Sequence, residues 1–297
     1  MSTAKPITYQ TSLRDFVALA KPNVTFLVII TAAGGLWLAP GHISFSRMIA
    51  ALLGTVMVVT AANALNCYIE RESDKHMART KSRPLPAGRM APVAALWFGI
   101  FLAVTSIPIL TLLVNPITGF LAFSALVMYV WIYTPMKKFS PQALMVGAVP
   151  GAMPPLMGWT AVTGRVELPG LVLFGILFVW QLPHFVAITV YRRQEYERAG
   201  IKTLMGMHGP SMAKAYIIFW TLVLLPISLL LGPLNFAGPI YLSLATLLGV
   251  IFIVWAFRGL RAQNMGRWAR NFFLYSLVYL TVLMVGIAID AGPTLPG

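Results

Sequence analysis

Apolar runs long enough to cross a lipid bilayer recur along nearly the whole chain. A transmembrane helix needs about 20 apolar residues to span roughly 30 Å of hydrocarbon. Nine such runs can be identified in the 297 residues, at 23–39, 48–68, 90–111, 119–134, 141–161, 168–190, 211–231, 238–257 and 271–290. The sequence therefore predicts an all-α integral membrane protein with nine transmembrane helices.

The few charged residues are strongly basic overall. Lys and Arg number 22 against 8 Asp and Glu, a formal net charge of +14, yet charged residues make up only 10% of the chain. A basic protein can bind nucleic acid, but soluble domains carry about 25% charged residues. This composition, with a mean hydropathy of +0.79, excludes a soluble nucleic-acid-binding protein. The single cysteine, Cys67, excludes a disulfide within the chain and a CxxC metal site.

The basic residues are distributed unevenly between the two sides of the predicted spans. Twenty of them lie before the first span or after an even-numbered span, and only Arg47 and Arg165 lie on the other side. The positive-inside rule places the side with the 20 basic residues in the cytoplasm. We therefore expect a multi-pass protein of the cell inner membrane. Its predicted parts are a cytoplasmic N-terminal tail without a secretory signal (1–22), a single transmembrane domain (23–290) and a short external tail (291–297).

The second span ends in three oxygen-bearing side chains at four-residue spacing. Asn66, Glu70 and Asp74 lie along one face of a continuous helix. Mg²⁺ typically takes one or two carboxylates and completes its shell with water and phosphate oxygens. The basic residues that follow are suited to neutralising phosphate; they are Lys75, Arg79, Lys81 and Arg83. This pattern indicates a metal–diphosphate site, and the alternative is an ordinary loop in which Glu70 and Asp74 pair with nearby basic residues.

A second polar cluster lies at the end of the sixth span. Gln181, His184, Tyr191 and Glu195 have offsets of 0, 3, 10 and 14, which predicts one helical face, and Pro183 predicts a kink. Polar groups inside a span usually face a bundle interior or a cavity. A lone buried histidine is more often a hydrogen-bonded structural residue than a ligand, so both interpretations of His184 stay open. We expect the two clusters to face each other across a central cavity.

The residues of both clusters resemble a known family. The pattern Asn66-x3-Glu70-x3-Asp74, followed by residues 77–85, resembles the first signature of the intramembrane (UbiA-type) prenyltransferases, and most closely of their haem-modifying branch. Three further stretches agree, at 133–138, 151–159 and 180–185, the last followed by Glu195-Tyr196. The Trp-Gln-x-Pro-His element favours haem over quinone substrates.

Two positions depart from the pattern of that branch. Glu195 stands where the branch commonly has Asp, and residues 201–205 replace a stretch that usually contains Pro. Glu195 is still an acid but is one methylene longer.

The resemblance implies a fold, an activity and roles for individual residues. It implies a UbiA-like helical fold that transfers the farnesyl group of farnesyl diphosphate to a vinyl group of haem B, giving haem O. Mg²⁺ would be held by Asn66, Glu70 and Asp74, with Glu195 as a further catalytic residue. Diphosphate contacts would fall to Arg71, Lys75, Arg79, Arg83 and Lys202, and haem contacts to His184, Gln181 and Tyr191. The implied partners, besides membrane lipid, are a haem A synthase or a terminal oxidase, with no nucleic acid.

The sequence leaves two alternatives to farnesyl transfer to haem. A UbiA-type enzyme acting on an aromatic quinone precursor keeps the metal and diphosphate assignments and changes only the acceptor. A secondary transporter of an amphipathic anion belongs to a different class. Transporters usually place charged groups near the bilayer midplane, whereas every Lys, Arg, Asp and Glu here lies at or beyond the end of a predicted span.

Overall fold

The computed structural model describes residues 9–290, which are largely helical and contain no β-strand. Three helices are short, namely α1 (Leu13–Ala20), the three-residue α6 (Thr134–Met136) and α9 (Arg193–Arg198). The remaining helices are α2 (Pro22–Leu38), α3 (Phe45–Glu70), α4 (Pro92–Pro108), α5 (Pro116–Val127), α7 (Ala143–Thr163), α8 (Leu168–Tyr191), α10 (Leu204–Leu229), α11 (Pro239–Arg258) and α12 (Met265–Asp290). Wider π-helical turns extend α4 over Ile109–Val114 and join α5 to α6 over Met128–Tyr133. Short 3₁₀ turns cover Ser73–His76 and Gly259–Arg261.

The long helices lie where the nine spans were predicted. Among residues 9–290, seven helices are long and apolar enough to cross a membrane, and the bent pair α1–α2 makes an eighth. The ninth is α7, which carries no charged residue and is mostly buried among its neighbours. The predicted all-α membrane fold is therefore confirmed.

The first span is bent near its start. The axes of α1 and α2 differ by 50°, and Lys21 between them has left-handed backbone angles of φ 50° and ψ 68°. Pro22 suits the first position of α2, where its missing backbone N–H leaves no helical hydrogen bond unmade. Part of the predicted tail (1–22) thus forms a helix, which is tied to a later loop by a 3.0 Å ion pair between Arg89 Nε and Asp15 Oδ1. Residues 1–8 and 291–297, which belong to the two predicted tails, lie outside the described residues.

Helix α7 packs at the centre of the bundle. It contacts α2, α3, α5 and α8. Its contact with α2 is made backbone to backbone: a Cβ on Gly35 would lie 1.9 Å from the carbonyl oxygen of Pro155, and one on Gly158 would lie 2.0 Å from that of Ala32. On the far side, α8 packs against α10 and α12, and α12 returns to α2. This arrangement brings the ends of α3, α6 and α8 around the first turns of α7.

Candidate active site

The first polar cluster and Gln181 of the second cluster line a single cavity of about 310 Å³. Its wall is built from α3, the turn after α3, the α5–α6 segment, α7, α8 and the connection between α9 and α10. The charged residues that line the cavity are Lys21, Glu70, Asp74, Arg79, Arg83, Lys137 and Lys202. The expectation that both clusters meet in one cavity therefore agrees with the structure for Gln181 alone among the residues of the second cluster.

Asn66 and Glu70 form the polar end of α3. Both side chains are buried, and Asn66 Nδ2 donates a 2.9 Å hydrogen bond to Glu70 Oε2 and a 3.1 Å hydrogen bond to Thr134 Oγ1. Lys21 Nζ donates to Asn66 Oδ1 at 3.1 Å. The four-residue spacing of Asn66 and Glu70 thus produces the side-chain contact that it predicts on a helix.

Asp74 reaches the same cavity by a different route. Helix α3 ends at Glu70 and Asp74 lies in the 3₁₀ turn that follows, so the predicted unbroken helical line from Asn66 to Asp74 is wrong. The turn is held by a 2.8 Å hydrogen bond from Thr80 Oγ1 to the Asp74 carbonyl oxygen. Arg83 Nη1 lies 2.7 Å from Asp74 Oδ2. The tight turn keeps the carboxylate buried and directed into the cavity.

The oxygen atoms on this wall fit a magnesium ion that is shared with a substrate. No group of three His, Cys, Asp or Glu side chains among residues 9–290 is arranged to hold a metal alone. Two carboxylates and one amide, on Glu70, Asp74 and Asn66, nevertheless line one cavity. This donor set suits Mg²⁺, which keeps several waters and binds substrate phosphate oxygens.

Lys137 neutralises one of these carboxylates. Its Nζ lies 2.5 Å from Glu70 Oε1 and 4.6 Å from the centre of the Tyr133 ring. Burial disfavours the charged form of Lys137, but the neighbouring Tyr133 and Glu70 outweigh burial and raise the pKa of Lys137 above its ordinary value. The ammonium group is therefore charged at neutral pH.

Only some of the predicted diphosphate-binding residues line the cavity. Arg79, Arg83 and Lys202 do. Arg71 instead donates a 2.7 Å hydrogen bond to the Tyr68 carbonyl oxygen, and Lys75 forms a 2.7 Å ion pair with the exposed Glu72. Arg71 and Lys75 are therefore held by local partners outside the cavity wall.

Gln181 is the member of the second cluster that lines the cavity. Its Nε2 donates to the carbonyl oxygens of Ala148 at 3.3 Å and Leu177 at 3.0 Å. These acceptors fix the orientation of the amide. Gly151 leaves room for it, since a Cβ there would lie 2.0 Å from Gln181 Oε1. The small residue on α7 thus allows a polar group to reach the cavity.

His184 lies behind the cavity wall. Its Nδ1 is 2.6 Å from Ser276 Oγ on α12, and its ring stacks on Trp180 with the ring centroids 4.5 Å apart. A step of three residues turns a helix about 60° short of a full turn. Gln181 therefore faces the cavity while His184 faces α12, so the prediction of one shared face is wrong here.

Tyr191 and Glu195 also lie outside the cavity wall. Helix α8 ends at Tyr191, whose ring is covered by the Arg192 guanidinium at 4.9 Å. Glu195 belongs to the separate helix α9, so the helical spacing of the cluster does not continue to it. Arg192 Nη1 lies 2.9 Å from Glu195 Oε1, and Glu195 Oε2 is buried without a hydrogen-bond partner among the described residues.

Several cavity residues were not predicted as site residues. Lys21, Lys137, Tyr129, Tyr133 and Tyr196 all line the cavity. Burial raises the pKa of Tyr196, so its phenol is a neutral hydrogen-bonding group. The four-residue spacing of Tyr133 and Lys137 at the end of a span was a usable signal. No sequence signal identified Lys21, because its place in the cavity wall depends on the bend between α1 and α2.

Comparison with known sequences gives the family. The model of the UbiA prenyltransferase family matches residues 27–278. A protoheme IX farnesyltransferase from Anaeromyxobacter sp. (strain Fw109-5) is 52% identical over 288 residues, which is 97% of each chain. Another from Myxococcus xanthus (strain DK1622) is 47% identical over 279 residues and covers 94% of this chain and 95% of the relative.

Solved structures give the same fold. A structure of digeranylgeranylglyceryl phosphate synthase aligns with a TM-score of 0.80 at 17% identity, covering 93% of this chain and 97% of that one. A UbiA homolog from Archaeoglobus fulgidus bound to DMAPP and Mg²⁺ aligns with a TM-score of 0.66 at 14% identity, covering 90% and 99%. The chain belongs to the UbiA prenyltransferase family, and the curated relatives that resemble it over nearly its whole length are protoheme IX farnesyltransferases.

Proposed function

We propose that the protein transfers the farnesyl group of farnesyl diphosphate to a vinyl group of haem B, giving haem O. One observation carries the chemistry: the acidic residues Glu70 and Asp74 and the basic residues Arg79 and Arg83 line one cavity at the end of the membrane helices. The names of the 52% and 47% identical relatives support haem as the acceptor.

The acidic wall is the proposed site for a divalent ion. Asn66, Glu70 and Asp74 would hold Mg²⁺, which when bound supplies Lewis-acid stabilisation of charge on the diphosphate oxygens. A UbiA homolog bound to DMAPP and Mg²⁺ supports this proposal. Glu70 and Asp74 are each paired with a cation, Lys137 and Arg83. With a metal held by these carboxylates, Lys137 and Arg83 would be available to bind the diphosphate oxygens.

The basic residues of the cavity wall are proposed to bind the diphosphate. Arg79, Arg83 and Lys202 line the cavity beside the acids, and charge-assisted hydrogen bonds from such groups to phosphate oxygens are strong and directional. Lys137 and Lys21 add two further cations at the same wall. Arg71 and Lys75 have no part in the proposal, because both are held outside the cavity.

The proposed reaction makes one carbon–carbon bond and adds one water. The C–O bond between farnesyl and diphosphate breaks with the electron pair leaving on diphosphate. The allylic cation then bonds to the terminal vinyl carbon of haem B, and water adds to the resulting cation with loss of one proton. Tyr129, Tyr133 and Phe185 line the cavity; aromatic faces stabilise cations, and a wall within the membrane keeps bulk water from the allylic cation.

The second cluster is proposed to serve the acceptor. Gln181 presents an oriented amide to the cavity and is the direct haem contact in this proposal. His184, bonded to Ser276 behind the wall, holds α8 against α12 and so positions Gln181. The unpartnered Oε2 of Glu195 supports that residue as an acceptor for a bound water or ion next to Tyr196, with Tyr191 packing beneath Arg192.

The surroundings of the enzyme complete the proposal. The apolar helices make it a multi-pass membrane protein. We place it in the cell inner membrane with its N-terminus in the cytoplasm and its C-terminus outside, as the distribution of basic residues predicts. The product would pass to a haem A synthase or to a terminal oxidase.

A substrate comparison tests the proposed function. The purified protein is incubated with farnesyl diphosphate and either haem B or 4-hydroxybenzoate, with and without Mg²⁺, and the products are analysed by mass spectrometry. We expect a haem product heavier by one farnesyl group and one hydroxyl group, formed only with Mg²⁺. Prenylation of 4-hydroxybenzoate with no haem product would instead show that the protein acts on a quinone precursor.

A further inference from the structure

A second groove adjoins the active-site cavity and takes no part in the proposed reaction. It measures about 320 Å³ and lies between the turn joining α6 to α7 and the first turns of α10. Pro141 and Leu144 line both the groove and the cavity. These two side chains therefore form a wall that is common to both spaces. The turn and the start of α10 are held together by a 3.1 Å hydrogen bond from Lys202 N to the Lys137 carbonyl oxygen.

His208 supplies the groove with an unengaged imidazole. The side chain is exposed and lines the groove. No described residue makes a hydrogen bond, an ion pair or a ring contact with it. It stands immediately before Gly209, whose angles of φ 79° and ψ 178° break the helix, so the turn carrying His208 is set apart from the rest of α10. A neutral imidazole with free nitrogens is the commonest metal ligand among side chains.

The rest of the groove suits a large, flat, apolar molecule that also carries acid groups. Tyr216, Met145 and Met207 form part of its wall, and methionine side chains adapt their shape to a bound aromatic surface. Lys138 is exposed two residues before the groove begins at Ser140, and no acidic group among the described residues pairs with it. An imidazole, an apolar wall and a free cation are together the groups that recognise the iron, ring and propionates of a haem.

The active-site cavity itself offers no imidazole to iron. His184 is turned towards Ser276 and does not line the cavity. We propose that the groove is a haem-docking site in which His208 binds the iron before the porphyrin moves past Pro141 and Leu144 into the active site. This inference rests on the proposed function, because it takes haem as the acceptor.

A haem titration tests this inference. Ferric haem is added to the purified full-length protein in detergent and to its His208→Ala and His42→Ala variants, and the Soret band is followed. His42 is also exposed, so its replacement is a matched control. We expect His208→Ala to raise the Kd for haem at least about tenfold, since loss even of a residue that only orients a metal ligand typically costs that much. His42→Ala should bind haem as the unaltered protein does.

Rescue of the His208→Ala variant by free imidazole shows whether His208 is an iron ligand or only a structural residue. Free imidazole added to the His208→Ala variant should restore the Soret position of the unaltered protein, and saturating haem should restore product formation. Haem binding and spectrum unchanged by His208→Ala would overturn the docking site while leaving the proposed function intact. Imidazole-dependent haem binding without any farnesylated product would instead support the docking site and contradict the proposed function.

Discussion

At the scale of single residues, the Glu70–Lys137 pair sets the charge of the cavity wall. Both side chains are largely buried, and their charged atoms lie 2.5 Å apart. Removing one member of a buried pair leaves the other charge uncompensated, which typically costs about 3–5 kcal/mol. Each residue of this pair therefore stabilises the fold and also takes part in the proposed chemistry.

Replacement of Lys137 tests the pair. We expect Lys137→Met to lower the free energy of unfolding by about 3 kcal/mol or more, because Glu70 is left buried and unpaired. The measurement is unfolding in detergent, with Lys214→Met as the control, since Lys214 is a half-buried lysine that forms none of the ion pairs of the described chain. Equal stability of the two variants would contradict the assignment.

The same pair predicts a pH dependence. The folded pKa of Lys137 is raised above the ordinary value of 10.5. The stabilisation from its charge is therefore fully present below that pH and is lost only as the pH rises through the raised folded value. The stability difference between the unaltered protein and Lys137→Met should be constant through the neutral range in melting experiments. A difference that vanished near neutral pH would show that Lys137 is not held in its charged form.

Sequence could predict some site residues and not others, for physical reasons visible at particular positions. Asn66 and Glu70 were found because four-residue spacing on a helix brings side chains together. His184 was predicted to share the face of Gln181, but it faces Ser276 on α12. The cavity and α12 cover adjacent faces of α8, and residue spacing alone does not show which face a side chain takes. Arg71 lies outside the cavity wall, and its hydrogen bond to a local carbonyl oxygen is not visible in the spacing of the sequence.

At the scale of helices, the contact between α2 and α7 fixes the frame around the cavity. The backbones meet at Gly35 and Gly158, where any side chain would collide with a carbonyl oxygen of the other helix. Close approach of this kind is typical of small residues at membrane helix interfaces. Because α7 also carries Gly147 and Gly151 of the cavity wall, its position against α2 determines the shape of the site.

A pair of neighbouring glycines tests this contact. Gly35→Ala should destabilise the protein by about 1–3 kcal/mol through overpacking, because the added Cβ would lie 1.9 Å from the Pro155 carbonyl oxygen. Gly34→Ala should be close to neutral, since a Cβ at that position meets only Met284 Sδ at 3.9 Å. Thermal unfolding in detergent measures both variants. Similar melting temperatures for the two would show that α2 and α7 are not packed this closely.

The transmembrane spans could be predicted from the sequence because bilayer thickness sets the length of an apolar helix. The positions at which the helices are interrupted could not be predicted in this way. Helix α3 ends at Glu70, and α8 and α9 are separate helices on either side of Arg192. Helical spacing assumes an unbroken helix, so it could not give the positions of Asp74 and Glu195.

At the scale of the whole molecule, orientation in the membrane follows from the basic residues. Of the 22 Lys and Arg residues, only Arg47 and Arg165 belong to the predicted external side. In the proposed orientation, the cavity with Glu70, Asp74 and Arg79 would lie at the cytoplasmic end of the helices. A cavity on that side would be open to diphosphate in the cytoplasm.

Cysteine labelling tests the orientation. The only native cysteine, Cys67, is buried and gives a low background. Arg165 and Lys81 are both exposed. We expect a membrane-impermeant maleimide to label Arg165→Cys in intact spheroplasts and Lys81→Cys only after permeabilisation. The reverse pattern would place the cavity on the outside.

The central claim is that one acidic wall at the end of α3 drives farnesyl transfer to haem. Its most direct test is mass spectrometry of the haem products formed from haem B, farnesyl diphosphate and Mg²⁺ by the unaltered protein and by the Glu70→Gln and Glu197→Gln variants. Glu197 is a half-exposed acid on α9, paired with Arg193 outside the cavity, and serves as the control. We predict loss of the farnesylated product by at least about a hundredfold in Glu70→Gln, as is typical when a group that stabilises transition-state charge is removed, and normal product in Glu197→Gln. Undiminished product from a folded Glu70→Gln variant would contradict the account.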